Sequence, residues 1–170
     1  MKKTTESQFI ESYDSYADSL FRHCYLRVFD RDLSRDLVQE AFIRVWNYLA
    51  EGKEIRNFKP FLYQVVDNLI IDNSRKRKTV SLDLLQERGV EPRLDVEAGR
   101  FEKLIDAKRA SEIIVQLEEP YRQVLLLRYL DDLSVKEIAK ICGETENNIS
   151  VRIHRGLKKL NEILDHEPKS

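Results

Sequence analysis

The chain has 170 residues, with 29 Lys and Arg against 30 Asp and Glu and a formal net charge of −1. It has room for one medium domain or two small ones, and no bulk charge to hold nucleic acid by itself. Five Gly and four Pro amid abundant Leu, Ile, Glu, Arg and Lys argue against a turn-rich β fold and for an all-α protein.

The opening MKKTTESQFIESYDSY lacks the apolar centre of a signal peptide, and no run approaches the roughly 18 apolar residues that span a bilayer. No membrane insertion and a cytoplasmic location are therefore expected. Residues 7–29 carry Phe9, Ile10, Tyr13, Tyr16, Ala17, Leu20, Phe21 and Cys24 at helical spacing, which predicts a first amphipathic helix. RDLSRDLVQEAFIRVWNYLAEG predicts a second, with Val38, Ala41, Phe42, Val45 and Leu49 on its core face and Gly52 at its stop. Asp36, Gln39, Glu40 and Ile43 share another face at i, i+3, i+4 and i+7, a stripe that would ordinarily meet water.

KEIRNFK at 53–59 reads as a loop, and Pro60 suits the first turn of a helix over 60–78. Leu62, Val65, Val66, Leu69 and Ile70 form its core stripe, and Tyr63, Asp67, Asn68 and Arg75 are expected to point elsewhere. Its last turn, Arg75, Lys76, Arg77 and Lys78, is a run of four cations, and residues 53–78 hold seven cations against three carboxylates. Such a run is commonly a solvated helix end favoured by the macrodipole. A phosphate-binding patch is the functional alternative, and a second basic segment over 150–170 strengthens it.

Gly89, Pro92 and Gly99 interrupt the periodicity over 79–104, which reads as a linker. Fully extended, it could reach roughly 90 Å, against about 34 Å for one turn of duplex, so a reader of two separated sites is permitted. From 105 the helical pattern returns through Ile105, Ile113, Ile114 and Leu117, then Val124 to Leu127 with Tyr129 and Leu130. In LSVKEIAKICGETENNISVRIHRGLKKLNEIL, Ser134 and Glu137 form a capping box for a short helix ending at Cys142, and Gly143 permits a sharp turn. Thr145 or Glu146 then opens a basic helix with Ile149, Ile153, Leu157 and Leu160 inward. This is a helix-turn-helix pattern. Cys24 and Cys142 stand too far apart in sequence, and too far from any His at ligand spacing, to suggest a zinc site or disulfide; no cofactor or metal is expected. His23, His154 and His166 likewise lack the neighbours of a catalytic or metal site.

DLVQEAFIRVW at 36–46, FLYQVVDNLIIDNSRKRK at 61–78, EPYRQVLLLRYLDDLSVKEIAKICG at 119–143 and ISVRIHRGLKKL at 149–160 together resemble the group-four, or extracytoplasmic-function, bacterial sigma factors. The resemblance covers about residues 7–164 in the family's order. It implies an all-α protein of two small helical domains joined by a flexible linker and no enzyme activity. The domains implied are a region-2-like one over 1–78, a linker over 79–104, and a region-4-like domain with the helix-turn-helix over 105–170.

The resemblance also implies partners: the clamp subunit and flap of RNA polymerase core, promoter DNA and an anti-sigma factor. Asp36, Gln39, Glu40 and Ile43, edged by Trp46, would dock on the polymerase clamp. Arg56, Asn57, Phe58, Lys59, Tyr63, Asn68, Arg75, Lys76, Arg77 and Lys78 would serve the minus-ten element, where DNA opens and an extruded base is held outside the stack. Phe61 and Tyr63 have a packing role as the ordinary alternative to stacking, and Phe58, in a loop, is the better platform. Thr145, Asn147, Asn148, Ser150, Val151, Arg152 and Arg155 would meet the minus-thirty-five element, with Asn147, Asn148 and Arg152 as base readers because Asn pairs with adenine and Arg with guanine. Arg155, Lys158 and Lys159 would meet phosphate or solvent.

Four positions depart from the family pattern: Gln64, Asp67, Glu118 and Ser150. Asp67 is expected to set a negative charge on a helix that approaches DNA. A one-component regulator using only 134–160 on duplex DNA is the rival reading, and it leaves the 36–46 and 61–78 motifs without explanation.

Overall fold

The computed structural model describes residues 3–80 and 112–166, and the side chains of all of these except 78–80. The linker expected over 79–104 and the helix start at 105 therefore lie almost wholly outside the described residues, as does the side chain of Lys78. Every regular element described is a helix. The chain divides into two compact units.

The first unit is a three-helix cluster. Helix α1, Thr5–Val28, opens on Thr4, whose hydroxyl accepts from the Ser7 N–H at 3.2 Å. It closes on Phe29 in the left-handed region (φ 53°), whose N–H donates to the Tyr25 carbonyl at 2.8 Å. Asp30 then caps helix α2, Arg31–Ala50, by accepting from the Leu33 N–H at 3.0 Å. Two residues, Phe29 and Asp30, thus reverse the chain. Gly52 follows α2 at φ 81°, a turn that glycine enters without steric cost.

Helix α3, Phe58–Val80, begins two residues before the expected start. Pro60 is tolerated there because the first-turn N–H groups have no helical partner to lose. The three helices pack pairwise around Leu20, Cys24, Ala41, Val45, Leu62 and Val66, all of them fully buried.

Two expectations for α3 are corrected. Tyr63 and Asp67 do not point outward; both are fully buried. Tyr63 meets His23 edge-on at 5.3 Å between ring centroids. Asp67 accepts from Arg27 of α1 at 2.8 Å, with both side chains almost wholly shielded. A helix wedged against two others must bury more than one stripe, and 63, 67 and 70 form the second stripe at i, i+4 and i+7.

The second unit starts, among described residues, with one helical turn at 112–114. The helical pattern expected from 105 is interrupted at Gln116 and Leu117, whose N–H groups make i→i−3 bonds. Helix α4, Glu119–Leu125, starts afresh with Pro120 in its first turn and passes into a π-helical turn, Leu126–Leu130. Ser134 and Glu137 cap helix α5, Val135–Cys142, reciprocally as the sequence predicts. Gly143 (φ 66°) ends it. Thr145 opens helix α6, Glu146–His166, by accepting from the Asn148 N–H at 3.1 Å.

Helix α6 lies close against α4 at Gly156. A Cβ there would sit 3.3 Å from two Leu125 side-chain carbons and 3.4 Å from Tyr121 Cβ.

Asp67→Leu should cost about 3–5 kcal/mol, because it takes away the buried carboxylate that Arg27 faces; adding Arg27→Met should recover most of the loss. Urea denaturation of the four members of this cycle reads the effect. Gly156→Leu overpacks the α4–α6 contact and should cost about 1–3 kcal/mol, seen as a lower melting transition of the second unit.

Candidate nucleic-acid interface

On α2 the core residues Val38, Ala41, Phe42, Val45 and Leu49 leave Asp36, Gln39 and Glu40 exposed on the opposite side. Ile43 is 50% exposed and Trp46 40%, unusual for side chains of their size. Arg44 Nε donates to Glu40 at 3.0 Å across one turn, and both groups stay hydrated, so this pair contributes little to stability. Trp46 is held edge-on against Phe9 at 5.1 Å, and Tyr13 tilts against Phe42 at 4.8 Å. Ile10 and Tyr13, counted among the apolar positions of α1, are each half exposed, and Tyr13 reaches Phe42 of α2. Their signal was present in the helical wheel, where Ile10 stands about 100° from Phe9.

The described minus-ten candidates separate into four settings. Arg56 and Asn57 are exposed in the loop before α3, whereas Phe58 and Lys59 are half-buried in the first helical turn. Phe58 is therefore a helix residue and not a loop residue. Phe61 packs against Tyr48 at 5.0 Å, and Lys53 Nζ stands 5.0 Å from the Tyr48 ring centre. Tyr63 cannot meet DNA from the core, which leaves it the packing role.

Asn68 is exposed, and Arg75 lies seven residues on, on the same face and roughly 10 Å along the axis. Arg75, Lys76 and Arg77 are all exposed. Arg77 Nη2 lies 3.6 Å from Asp30 Oδ2, a loose contact between hydrated groups. The carboxylate that caps α2 thus also faces the basic end of α3. Burial of Asp67 removes the negative charge expected to oppose DNA there, since its partner Arg27 neutralises it inside the unit.

In the second unit, Asn147, Asn148, Ser150, Val151 and Arg155 are exposed along α6, opposite the buried Ile149, Ile153 and Gly156. Asn147 and Asn148 occupy its first turn, where the helix dipole favours an approaching anion and the Asn148 N–H is already engaged by the Thr145 cap. Thr145 is exposed, and its hydroxyl oxygen is engaged as the cap. Arg152 is different from its neighbours: it is half-buried and its guanidinium donates to Glu144, in the turn before the helix. Lys159 leans away from the face that carries Asn147 and Val151, 3.5 Å from Glu118 and 5.2 Å from the Tyr121 ring centre, whereas Lys158 stays exposed.

Among the described residues no group of His, Cys, Asp and Glu is placed to hold a metal ion, and no helix is long and apolar enough to cross a membrane.

Comparison with known proteins places both halves. Residues 12–80 match Sigma-70 region 2, and residues 108–160 match Sigma-70 region 4. The ECF RNA polymerase sigma factor SigW of Bacillus subtilis is 30% identical, over 96% of this chain and 92% of its own length. SigX of the same organism is 28% identical over 94% and 85%. The sigma factor RpoE from Bartonella quintana, solved in complex with the anti-sigma factor NepR, shares the fold with a TM-score of 0.75 at 20% identity, over 95% of this chain and 99% of that one. With both regions matched in order and such a relative aligned almost end to end, the chain belongs to the extracytoplasmic-function family of sigma-70-type sigma factors.

Proposed function

We propose a division of labour in which residues 1–78 dock on polymerase and open the minus-ten element, 79–104 tether, and 105–170 read the minus-thirty-five element. As an extracytoplasmic-function sigma factor, the chain binds RNA polymerase core and directs promoter recognition and transcription initiation. The observation that carries the assignment of surfaces is the segregation of chemistry on the first unit. A polar and apolar stripe lies on α2, and on α3 Asn68 shares a face with Arg75 while Arg75, Lys76 and Arg77 surround the helix end.

Asp36, Gln39, Glu40, Ile43 and Trp46 meet the polymerase clamp. Carboxylates at the rim steer the encounter, and the two exposed apolar side chains supply the area that water releases. Arg56, Asn57 and Lys59 approach the opened strand, with Phe58 at the edge of that surface and Asn68 meeting a base. Arg75, Lys76, Arg77 and Lys78 hold backbone phosphates. On α6, Asn147 and Asn148 lead the contact with the major groove, Ser150 and Val151 follow, and Arg155 meets phosphate. The protein acts in the cytoplasm without catalysis of its own. It is held inactive by an anti-sigma partner, the kind of partner with which RpoE was solved. A regulator confined to the helix-turn-helix would leave the region 2 match over 12–80 without a role.

Pull-down of core polymerase by the full chain tests the docking surface. Asp36→Lys with Glu40→Lys should weaken capture at least about tenfold while both units stay folded, because each change sets like charge where opposite charge is needed; undiminished capture places the docking elsewhere. For the basic end of α3, replacing residues 75–78 by Gln should slow promoter opening. It should also flatten the dependence of log affinity on log salt by about 0.9 for each phosphate no longer neutralised. An unchanged slope identifies the run as a hydrated helix end only.

A further inference from the structure

We infer that Glu144 ties Arg152 back as a strut of the helix-turn-helix, so that Asn147 and Val151, and not Arg152, choose the bases. The inference rests on the reading of α6 as the major-groove helix and refines which of its side chains carry specificity.

The first ground is angular. Successive residues of a helix are about 100° apart, so Arg152 stands one step from the exposed Val151 toward the buried side defined by Ile149, Ile153 and Gly156. Asn147 and Val151, separated by four residues, lie within about 40° of each other on the side away from that core. Arg152 is on the flank of the helix.

The second ground is the partner. Arg152 Nη2 donates to Glu144 Oε1, and the two side chains are only 24% and 30% exposed. Glu144 is itself held: its N–H donates to the Ala139 carbonyl at 2.9 Å, just after Gly143 in the left-handed conformation. The carboxylate is therefore fixed to the turn and not borne on a free loop. The pair spans the turn between α5 and α6 and sets the angle at which α6 leaves it. To reach a guanine, Arg152 would have to abandon a partly shielded charged partner and leave that carboxylate facing the DNA.

The chemistry left on the outer face is specific. The Asn147 carboxamide can donate to adenine N7 and accept from its N6 amino group, and the Val151 side chain, 40% exposed, can pack on the C5-methyl of thymine. They are roughly 6 Å apart along the axis, close to the roughly 7 Å between base pairs two steps apart. The recognised ligand is a duplex site with adenine and thymine at that spacing. Arg155, exposed one turn further on, remains the cation for phosphate.

The test uses holoenzyme reconstituted with the full chain, a promoter library randomised over the upstream element, and salt titration of the selected promoter. Arg152→Gln should keep the base preferences and the salt slope of the wild type, with affinity lower by no more than several-fold at every sequence. Asn147→Ala should lose the adenine preference at one position by about tenfold. Glu144→Gln, which keeps the side chain's size and removes its charge, should free Arg152 and add a guanine preference or steepen the salt slope by about 1. If Arg152→Gln erases a guanine preference already present in the wild type, or flattens its salt slope by about 1, the strut is wrong. Unchanged behaviour of Glu144→Gln in both readouts also overturns it, and this variant decides the matter if Arg152→Gln unfolds. A wild-type holoenzyme with no base preference upstream would instead sink the parent reading of α6.

Discussion

The first unit turns on one buried contact, the Arg27–Asp67 ion pair between α1 and α3. Two charges with 2% and 1% side-chain exposure are expensive to bring out of water, and their attraction offsets that cost only when geometry holds them together. Such a pair is weak evidence of extra stability but strong evidence of register. Slide or rotate α3 by one residue and Asp67 leaves Arg27, Tyr63 leaves His23, and an uncompensated charge is stranded in the core. With that rotation set, the outer face of α3 is set too, and Asn68 and Arg75 are delivered to the same side. A residue that looked like an obstacle to DNA is thereby part of what aims the helix.

The second unit reaches a comparable result through backbone geometry. Gly143 and the Thr145 cap bound a turn of a few residues, and Gly156 lets α6 lie closely against α4. The buried Ile149 and Ile153 hold one side of α6 inward, so its opposite face is presented as a block. The cap fixes the start of α6 and the close approach at Gly156 fixes its far side, so the exposed residues among 147–155 are held between the two.

Charge is distributed in keeping with a protein that relies on a larger partner. The formal net charge of −1 gives no general attraction to DNA, yet exposed cations gather at the end of α3, while on α2 the exposed Asp32, Asp36 and Glu40 are matched by Arg31, Arg35 and Arg44. Local attraction of this kind is short-ranged at physiological salt, where screening acts over about 8 Å. It becomes effective once polymerase holds both units near promoter DNA, since tethering raises the effective concentration of each contact.

The first three helices, the helix-turn-helix pair and its caps were legible in the sequence because they depend on local features: 3.6-residue periodicity, Ser134 with Glu137, Gly52 and Gly143, and the isolated Pro60; the Thr4, Phe29 and Asp30 caps and the π-helical turn were not read from it. The family resemblance was legible for the same reason, as linked motifs in order. Tertiary packing decided what periodicity alone leaves open. A single stripe predicts one buried face, but α3 touches two helices, so Tyr63 and Asp67 went inward. Ile10 and Tyr13 stayed half exposed because α2 covers only part of the α1 surface. The turn at Gln116 and Leu117 set the boundary between helical segments that periodicity did not fix. Arg152 was tied to Glu144 and Lys159 turned toward Glu118 because an opposite charge eight or forty-one residues away in sequence becomes a neighbour only after the chain has folded.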